Sequence, residues 1–307
     1  MSLIERFGGI HAATVCPMTS DFGIDEDTLA AHVRTVASVP GIRGLLINGH
    51  AGENFVLTRS EMRHVIEVVR ATVGPDCWLT AGVNAESSIE AGRIAADAEA
   101  EGANALLVFP PNSWALNHDL GIVRAHHEQV LDATGLPLVL YQAPVGAGRM
   151  AYALPTVQAL IEIPRVAAIK EGSWELATYE QNWRAVKARR PDIAVLGSGD
   201  EHLLTSYLIG SDGAQVSLAA VVPELIVALD AAARAGDWAE ARALHERIYP
   251  LSVAIYRRPP SNRATARLKK ALELLGRIPR ATARPPIQEL PAEECSALED
   301  ALRHALG

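Results

Sequence analysis

The 307-residue chain is short of cysteine, lysine and aromatic side chains, and each shortage narrows what it can be. Its three cysteines, Cys16, Cys77 and Cys295, are odd in number and far apart, which excludes a disulfide framework and the paired spacing of a zinc site. They read as buried or surface thiols. No apolar run is long enough to span a bilayer, so no membrane partner is expected. Residues 1–6 hold no basic segment leading into an apolar stretch, the mark of a signal peptide, and a cytoplasmic protein is expected. A net charge of −8 without a basic stripe interleaved with aromatics argues against nucleic acid as a partner. No G-x-G-x-x-G follows the first apolar segment and no Walker A sequence occurs, which disfavours an open doubly wound sheet. No cluster of metal-ligating residues is visible, and neither a metal nor an organic cofactor is expected. Lysine is scarce enough that each one can be examined singly: Lys170, Lys187, Lys269 and Lys270, with arginine supplying the remaining positive charge.

What the chain does have is an alternation. Eight short apolar segments, 10–15, 44–48, 78–82, 105–109, 137–141, 166–170, 194–197 and 213–217, are separated by longer stretches with helical signals. Several are apolar on both faces, as strands between a barrel interior and a layer of helices must be. Asp25-Glu26-Asp27, Thr58-Arg59-Ser60-Glu61 and Glu86-Ser87-Ser88 place acidic and hydroxyl groups where helices begin, and 116–133, 154–163, 174–189 and 201–209 fill the same slot. The expected fold class is α/β, a (β/α)8 TIM barrel over residues 1–235. Residues 236–307 are expected to form a C-terminal helical extension packed on the barrel. Its helices, 238–256, 264–275 and 292–305, are divided by Arg257-Arg258-Pro259-Pro260 and a proline-rich segment, 278–291.

In a barrel of this kind the chemistry sits where strands end. Lys170 closes Val166-Ala167-Ala168-Ile169-Lys170, and simple alternation puts it on one face with Ala168 and Val166. A barrel interior desolvates an ammonium and lowers its pKa, which prepares a lysine to attack a carbonyl. A strand-end lysine that forms an ion pair or reaches solvent fits the same position. Tyr141 ends the preceding strand, where a phenol either passes protons or makes a single hydrogen bond at the core's edge. Gly49-His50-Ala51-Gly52-Glu53 follows the second strand, and its glycines allow successive backbone N–H groups to converge on a carboxylate. Gly197-Ser198-Gly199-Asp200-Glu201 after the seventh strand reads equally as a substrate-lining loop or a tight turn.

Taken together, Cys16-Pro17-Met18, Gly49-x-x-Gly52-Glu53, Tyr141-x-x-Pro144, Ile169-Lys170-Glu171 and Gly197-Ser198-Gly199-Asp200 resemble the dihydrodipicolinate synthase / N-acetylneuraminate lyase family of pyruvate-dependent class I aldolases, over essentially the whole chain. The resemblance implies that Lys170 forms a Schiff base with a 2-oxo acid and that Tyr141 shuttles protons. It also implies a homotetramer built as a dimer of dimers. The expected activity is that of a lyase or aldolase acting on pyruvate or a 2-keto-3-deoxy acid. The alternatives are a keto-deoxy acid dehydratase, dihydrodipicolinate synthase, or a non-catalytic 2-oxo acid binding protein.

Several positions depart from the family's pattern. His50 and Ala51 stand where one or two hydroxyl residues are usual, and His50 is expected to replace the lost relay hydroxyl, bringing a group that titrates near pH 6.5, or to bind the substrate carboxylate, while a loop histidine without a chemical role fits the same position. Pro111-Asn112 replaces an aromatic pair. Gly146 replaces the arginine that takes the second carboxylate in the synthases, with Arg149 three residues away. Gln215 falls where an apolar residue is usual. The expected substrate contacts are Gly49, Ala51, Gly52, Asn112, Gly199 and Gln215, beside the catalytic Lys170, Tyr141 and His50.

Overall fold

Eight parallel strands close into a barrel in sequence order in the computed structural model, which describes residues 2–307. They are β1 (Gly9–Ala13), β2 (Ile42–Ile47), β3 (Trp78–Val83), β4 (Ala105–Val108), β5 (Leu138–Gln142), β6 (Val166–Glu171), β7 (Ala194–Gly197) and β8 (Gly213–Val216). The ring is completed where His11 of β1 pairs with Gln215 of β8. Helices Glu26–Ala37, Arg59–Val73, Ser88–Ala100, Leu120–Asp132, Leu154–Leu160, Leu176–Arg189, Leu203–Ile209 and Pro223–Ala235 follow the strands in turn, giving the expected TIM barrel. Among the described residues no helix is long and apolar enough to cross a membrane.

Local chemistry explains where elements begin. Asp25 caps its helix by accepting the N–H of Thr28, and Thr58 forms a reciprocal capping box with Glu61. Glu86 does something else: it accepts the backbone N–H groups of Asn112 and Ser113 at 2.8 and 3.0 Å, tying the loop after β3 to the loop after β4. Three helices start later than expected, at Leu120, Leu176 and Leu203, because irregular or 3-10 turns carrying Asn112, Trp174 and Asp200 intervene at the barrel mouth. Those are the loops that carry candidate site residues.

A short helix, Leu3–Phe7, precedes β1 and had no sequence signal. Its Phe7 is fully buried and meets Trp78 edge-on at 5.4 Å, closing the floor of the barrel. Gly213 makes room for this: a Cβ there would lie 2.6 Å from the Gly9 carbonyl oxygen and 2.7 Å from that of Phe7.

One expectation about β6 is corrected. The pairing with β5 slips between Leu138 and Val139, so that Val166 and Ala168 are partners on either side of an extra residue, Ala167. Such a bulge reverses which face the preceding residue presents. Val166 therefore packs outward among the helices, while Ala167 and Ala168 face the interior with Val139 and Leu196. Lys170 shares its inward face with Ala168, not with Val166.

The C-terminal part comprises Trp238–Tyr256, Ala264–Leu274 and Ala292–Leu306. It reaches over the mouth of the barrel. Thr265 Oγ1 donates to the His50 carbonyl at 3.0 Å, and the fully buried Lys269 pairs with Glu53. Glu53, held at φ +60, also accepts the backbone N–H of Arg284 at 3.0 Å. The loop after β2 is thus fixed from above by residues far away in sequence.

Candidate active site

Lys170 and Tyr141 are direct partners across β6 and β5, and both project into a cavity of about 600 Å³ at the carboxyl ends of the strands. The lysine ammonium lies 5.9 Å from the centroid of the Tyr141 ring. Burial among Ala168, Leu196 and the aromatic wall presses the Lys170 pKa down to about 8, and the charge of Asp200 opposes the shift. Burial lifts the Tyr141 phenol well above its ordinary value, with Glu171 adding to the rise. Tyr141 therefore keeps its proton and is available as a hydrogen-bond donor, not as a standing phenolate.

His50 lies on the same wall, in the centre of an aromatic ladder: its ring is 4.3 Å from Phe109, 4.6 Å from Phe55 and 5.3 Å edge-on to Tyr141. Enclosure by these rings, and then the charge on Lys170, push the imidazole well below its usual pKa. The expectation of a group titrating near pH 6.5 is corrected on this ground. A neutral His50 offers one N–H and one lone pair, and changes neither near neutrality.

The glycine loop behaves differently from a simple anion cradle. Gly52 N–H donates to Gly49 O at 3.0 Å, Glu53 N–H to His50 O at 3.1 Å and Asn54 N–H to Gly49 O at 3.3 Å, so these donors are consumed within the turn. Gly49 and Gly52 shape the turn from behind, and Ala51 is buried against the core. The amides of His50 and Ala51 have no backbone acceptor among the described residues.

Gln215 reaches the cavity floor from β8, fully buried, and neither of its amide atoms has a partner. Asn112 lines an adjoining alcove of about 160 Å³ that opens onto His50 and Tyr141. Gly199 is not on the main cavity wall. It borders a separate small cavity with Glu171 and His202, while its neighbours Ser198 and Asp200 face the lysine. Gly146 lies on the wall with open space where a side chain would be, and Arg149 turns away to Asn117 at 2.6 Å. Arg149 does not replace the missing arginine.

Sequence reasoning missed several residues. Asp200 is buried, accepts the Leu218 N–H at 2.7 Å, and is lifted to about 6 by burial. Tyr256, Ser261, Asn262 and Thr265 line the outer cavity from the C-terminal part. The Tyr256 hydroxyl is turned toward Asp200 and Ser217 without a well-formed hydrogen bond to either, and its ring lies 5.2 Å from Trp174. Only the Pro259-Pro260 break hinted that chain from this region returns to the mouth. Cys16, by contrast, is inert: burial pushes its thiol up to about 12.

Known proteins resemble this chain in sequence and fold. The model of the dihydrodipicolinate synthetase family matches residues 6–305. The chain is 31% identical over 296 residues to the 4-hydroxy-tetrahydrodipicolinate synthase of Acidothermus cellulolyticus, covering 96% of this chain and 91% of that protein. It is also 31% identical over 291 residues to an uncharacterised DapA-like lyase of Halobacterium salinarum, covering 95% and 91%. The crystal structure of dihydrodipicolinate synthase from Agrobacterium tumefaciens superposes with a TM-score of 0.87 at 28% identity, covering 99% of this chain and all of that one.

Proposed function

Because the chain belongs to the dihydrodipicolinate synthetase family, we propose that its lyase chemistry runs through an imine between Lys170 and a 2-oxo acid, with Tyr141 moving the protons. The protein is a Schiff-base lyase or aldolase acting on pyruvate or a 2-keto-3-deoxy acid. The observation that carries the residue assignment is a contrast among the four lysines. Lys187 is paired with Asp212, Lys269 with Glu53 and Lys270 with Glu273. Lys170 alone, among the described residues, is buried without an ion-pair partner, at a strand end facing a cavity.

The steps follow from that placement. The neutral amine adds to C2 of the oxo acid, one of its protons passes to the former carbonyl oxygen, and Tyr141 relays a second from solvent so that this oxygen leaves as water, giving a protonated imine that withdraws electrons from C3. In cleavage, the C3–C4 pair flows into this sink while the C4 hydroxyl loses its proton and becomes the carbonyl of the departing aldehyde. Protonation of the enamine at C3 and hydrolysis then free Lys170. The amides of His50 and Ala51 and the amide side chain of Gln215 receive the substrate carboxylate. Gly49 and Gly52 let the loop turn, and Asn112 borders the substrate on the Tyr141 side. Gly199 spaces Ser198 and Asp200.

Beyond C3 the wall has hydroxyl and amide groups, Ser198, Ser217, Ser261 and Asn262, and, among the described residues, no arginine. This favours a hydroxylated chain over the second carboxylate of aspartate semialdehyde. A homotetramer built as a dimer of dimers, working in the cytoplasm on a small-molecule substrate, belongs to the same reading and rests on the family alone.

The test is borohydride reduction in the presence of pyruvate, followed by peptide mass spectrometry. One adduct is expected, on the peptide that contains Lys170. Its rate of formation should rise about tenfold per pH unit up to about pH 8, then level, where an exposed lysine would rise to about 10.4. An adduct on another lysine, or none with any 2-oxo acid, overturns the assignment.

A further inference from the structure

Asp200 is buried and carries a charge that no contact on the protein neutralises. Its neighbour shows how unusual this is. Glu201 is as deeply buried, yet Arg257 grips both its oxygens at 2.8 and 2.5 Å, and His202 Nε2 lies 2.9 Å away. Asp200 accepts the Leu218 amide through Oδ1 and has no cation within ion-pair distance among the described residues. The positive group it senses is Lys170, across the cavity. A buried carboxylate left unpaired is a standing cost to the fold, so its place on the cavity wall points to a charge that is present only during the reaction.

We propose that Asp200 is the counter-ion of the protonated imine on Lys170, a further catalytic residue, with Tyr256 as the positioning residue that keeps its carboxylate turned to the cavity. The inference rests on the Schiff-base reading. When the Lys170 amine has added to C2 and water has left, the nitrogen keeps one proton and one positive charge. Only this cationic form draws electrons from C3 effectively; the neutral imine is a poor sink. A carboxylate facing it raises the proton affinity of the nitrogen and forms no bond itself. The gap between Lys170 and Asp200, too wide for an ion pair, leaves room for the substrate carbon.

The other groups around this pair do not supply the charge. Tyr141 from β5 keeps its proton, and His50 from the loop after β2 is neutral. Glu171 points to the outer side of β6, where Ser173 and Asn182 donate to it at 2.9 Å. Glu201 is satisfied by Arg257. Tyr256 approaches from helix Trp238–Tyr256 and Ser217 from the end of β8, neither as an anion. Among the described residues, Asp200 is the one acidic side chain on the cavity wall.

Cyanoborohydride reduces the protonated imine and spares the neutral one, so trapping with pyruvate from about pH 5 to 10 reports both ionisations. The wild-type yield should rise as Lys170 loses its proton and fall again where the imine loses its own. Asp200→Asn keeps an oxygen for the Leu218 amide and removes the charge. Both limbs should move to lower pH, the upper one by at least about one unit, a tenfold loss of trapping at a fixed pH above it. The melting temperature should hold or rise, which a merely structural role would not produce. Asp200→Glu should restore the upper limb, and Tyr256→Phe should shift it in the same direction by less. An upper limb unmoved in Asp200→Asn overturns the counter-ion role alone; should that variant fail to fold, a limb unmoved in Tyr256→Phe and unaltered by Asp200→Glu does so. No adduct in the wild type overturns the Schiff-base reading together with it.

Discussion

Replacing Lys269 with methionine should destabilise the protein by about 3 to 5 kcal/mol, the usual cost of stranding one partner of a buried ion pair. Lys269 is fully buried, and its ammonium has two partners, the Glu53 carboxylate and the Thr282 carbonyl at 2.7 Å. With methionine in place the volume is nearly kept, but Glu53 retains only the Arg284 amide for a charge that water cannot reach. Glu53→Gln strands the ammonium instead and should cost a similar amount. The double variant leaves no charge buried and should recover much of the loss, a coupling of about 2 kcal/mol or more between sites in direct contact. Urea unfolding of the four proteins at one pH measures it, with midpoints compared at equal slope. Because Glu53 anchors the loop that carries His50 and Ala51, the single variants should also raise the pyruvate concentration needed for half-maximal trapping. A loss below about 1 kcal/mol for Lys269→Met, or strict additivity in the double, would refute the view that this pair holds the loop.

Tyr141→Phe should fold normally and lower turnover about 10²-fold or more, since on the proposed mechanism the lost hydroxyl moves the protons at the imine; melting curves and kinetics decide it, and activity within a few-fold of wild type returns Tyr141 to a packing role. His50→Thr should leave the positions of the pH–rate limbs between about pH 5 and 8 unchanged, because the imidazole is already neutral there. A limb that disappears in that variant would show that His50 titrates in the working range. Gly146→Arg enters open space without backbone strain and should raise condensation of pyruvate with aspartate semialdehyde at least about tenfold, the worth of one charge-assisted contact. Unchanged slow condensation would place the determinant elsewhere.

Much of the fold was legible because each strand is a short apolar run stopped by a turn, and the runs recur at the spacing that βα units require. The lysine was legible for the same reason: it ends such a run. The bulge at Ala167 was not, because Val166-Ala167-Ala168 alternates plausibly in either register and only the pairing with Leu138 and Val139 chooses. Gly199 and Asp200 were confused by a single residue, since a loop motif does not say which of its members faces inward. Tyr256, Ser261, Asn262 and Thr265 had no local signal at all. Their place at the site comes from the C-terminal helices folding back over the barrel mouth, a tertiary fact without a sequence period. The aromatics told a hidden story: few in the chain, yet Phe55, Phe109, Tyr141, Trp174 and Tyr256 gather around one cavity.

The two origins of the wall divide its labour. Lys170, Tyr141 and Gln215 are fixed by hydrogen-bonded strands, so their mutual geometry is as rigid as the barrel, and in the proposed reaction they would surround the carbons where the imine forms. Ser261, Asn262 and Thr265 come from a turn and a helix start, where the Thr265 hydroxyl donates to the His50 carbonyl in the loop after β2. In the proposed reaction they would border the part of the substrate that departs as aldehyde. Substitution among them changes hydrogen bonding to that part while leaving the desolvation that activates Lys170 intact, because the lysine's depressed pKa arises from the barrel interior. On the proposed mechanism the reaction is thus set by strand ends, and the choice of partner would be set where the C-terminal helices close the cavity.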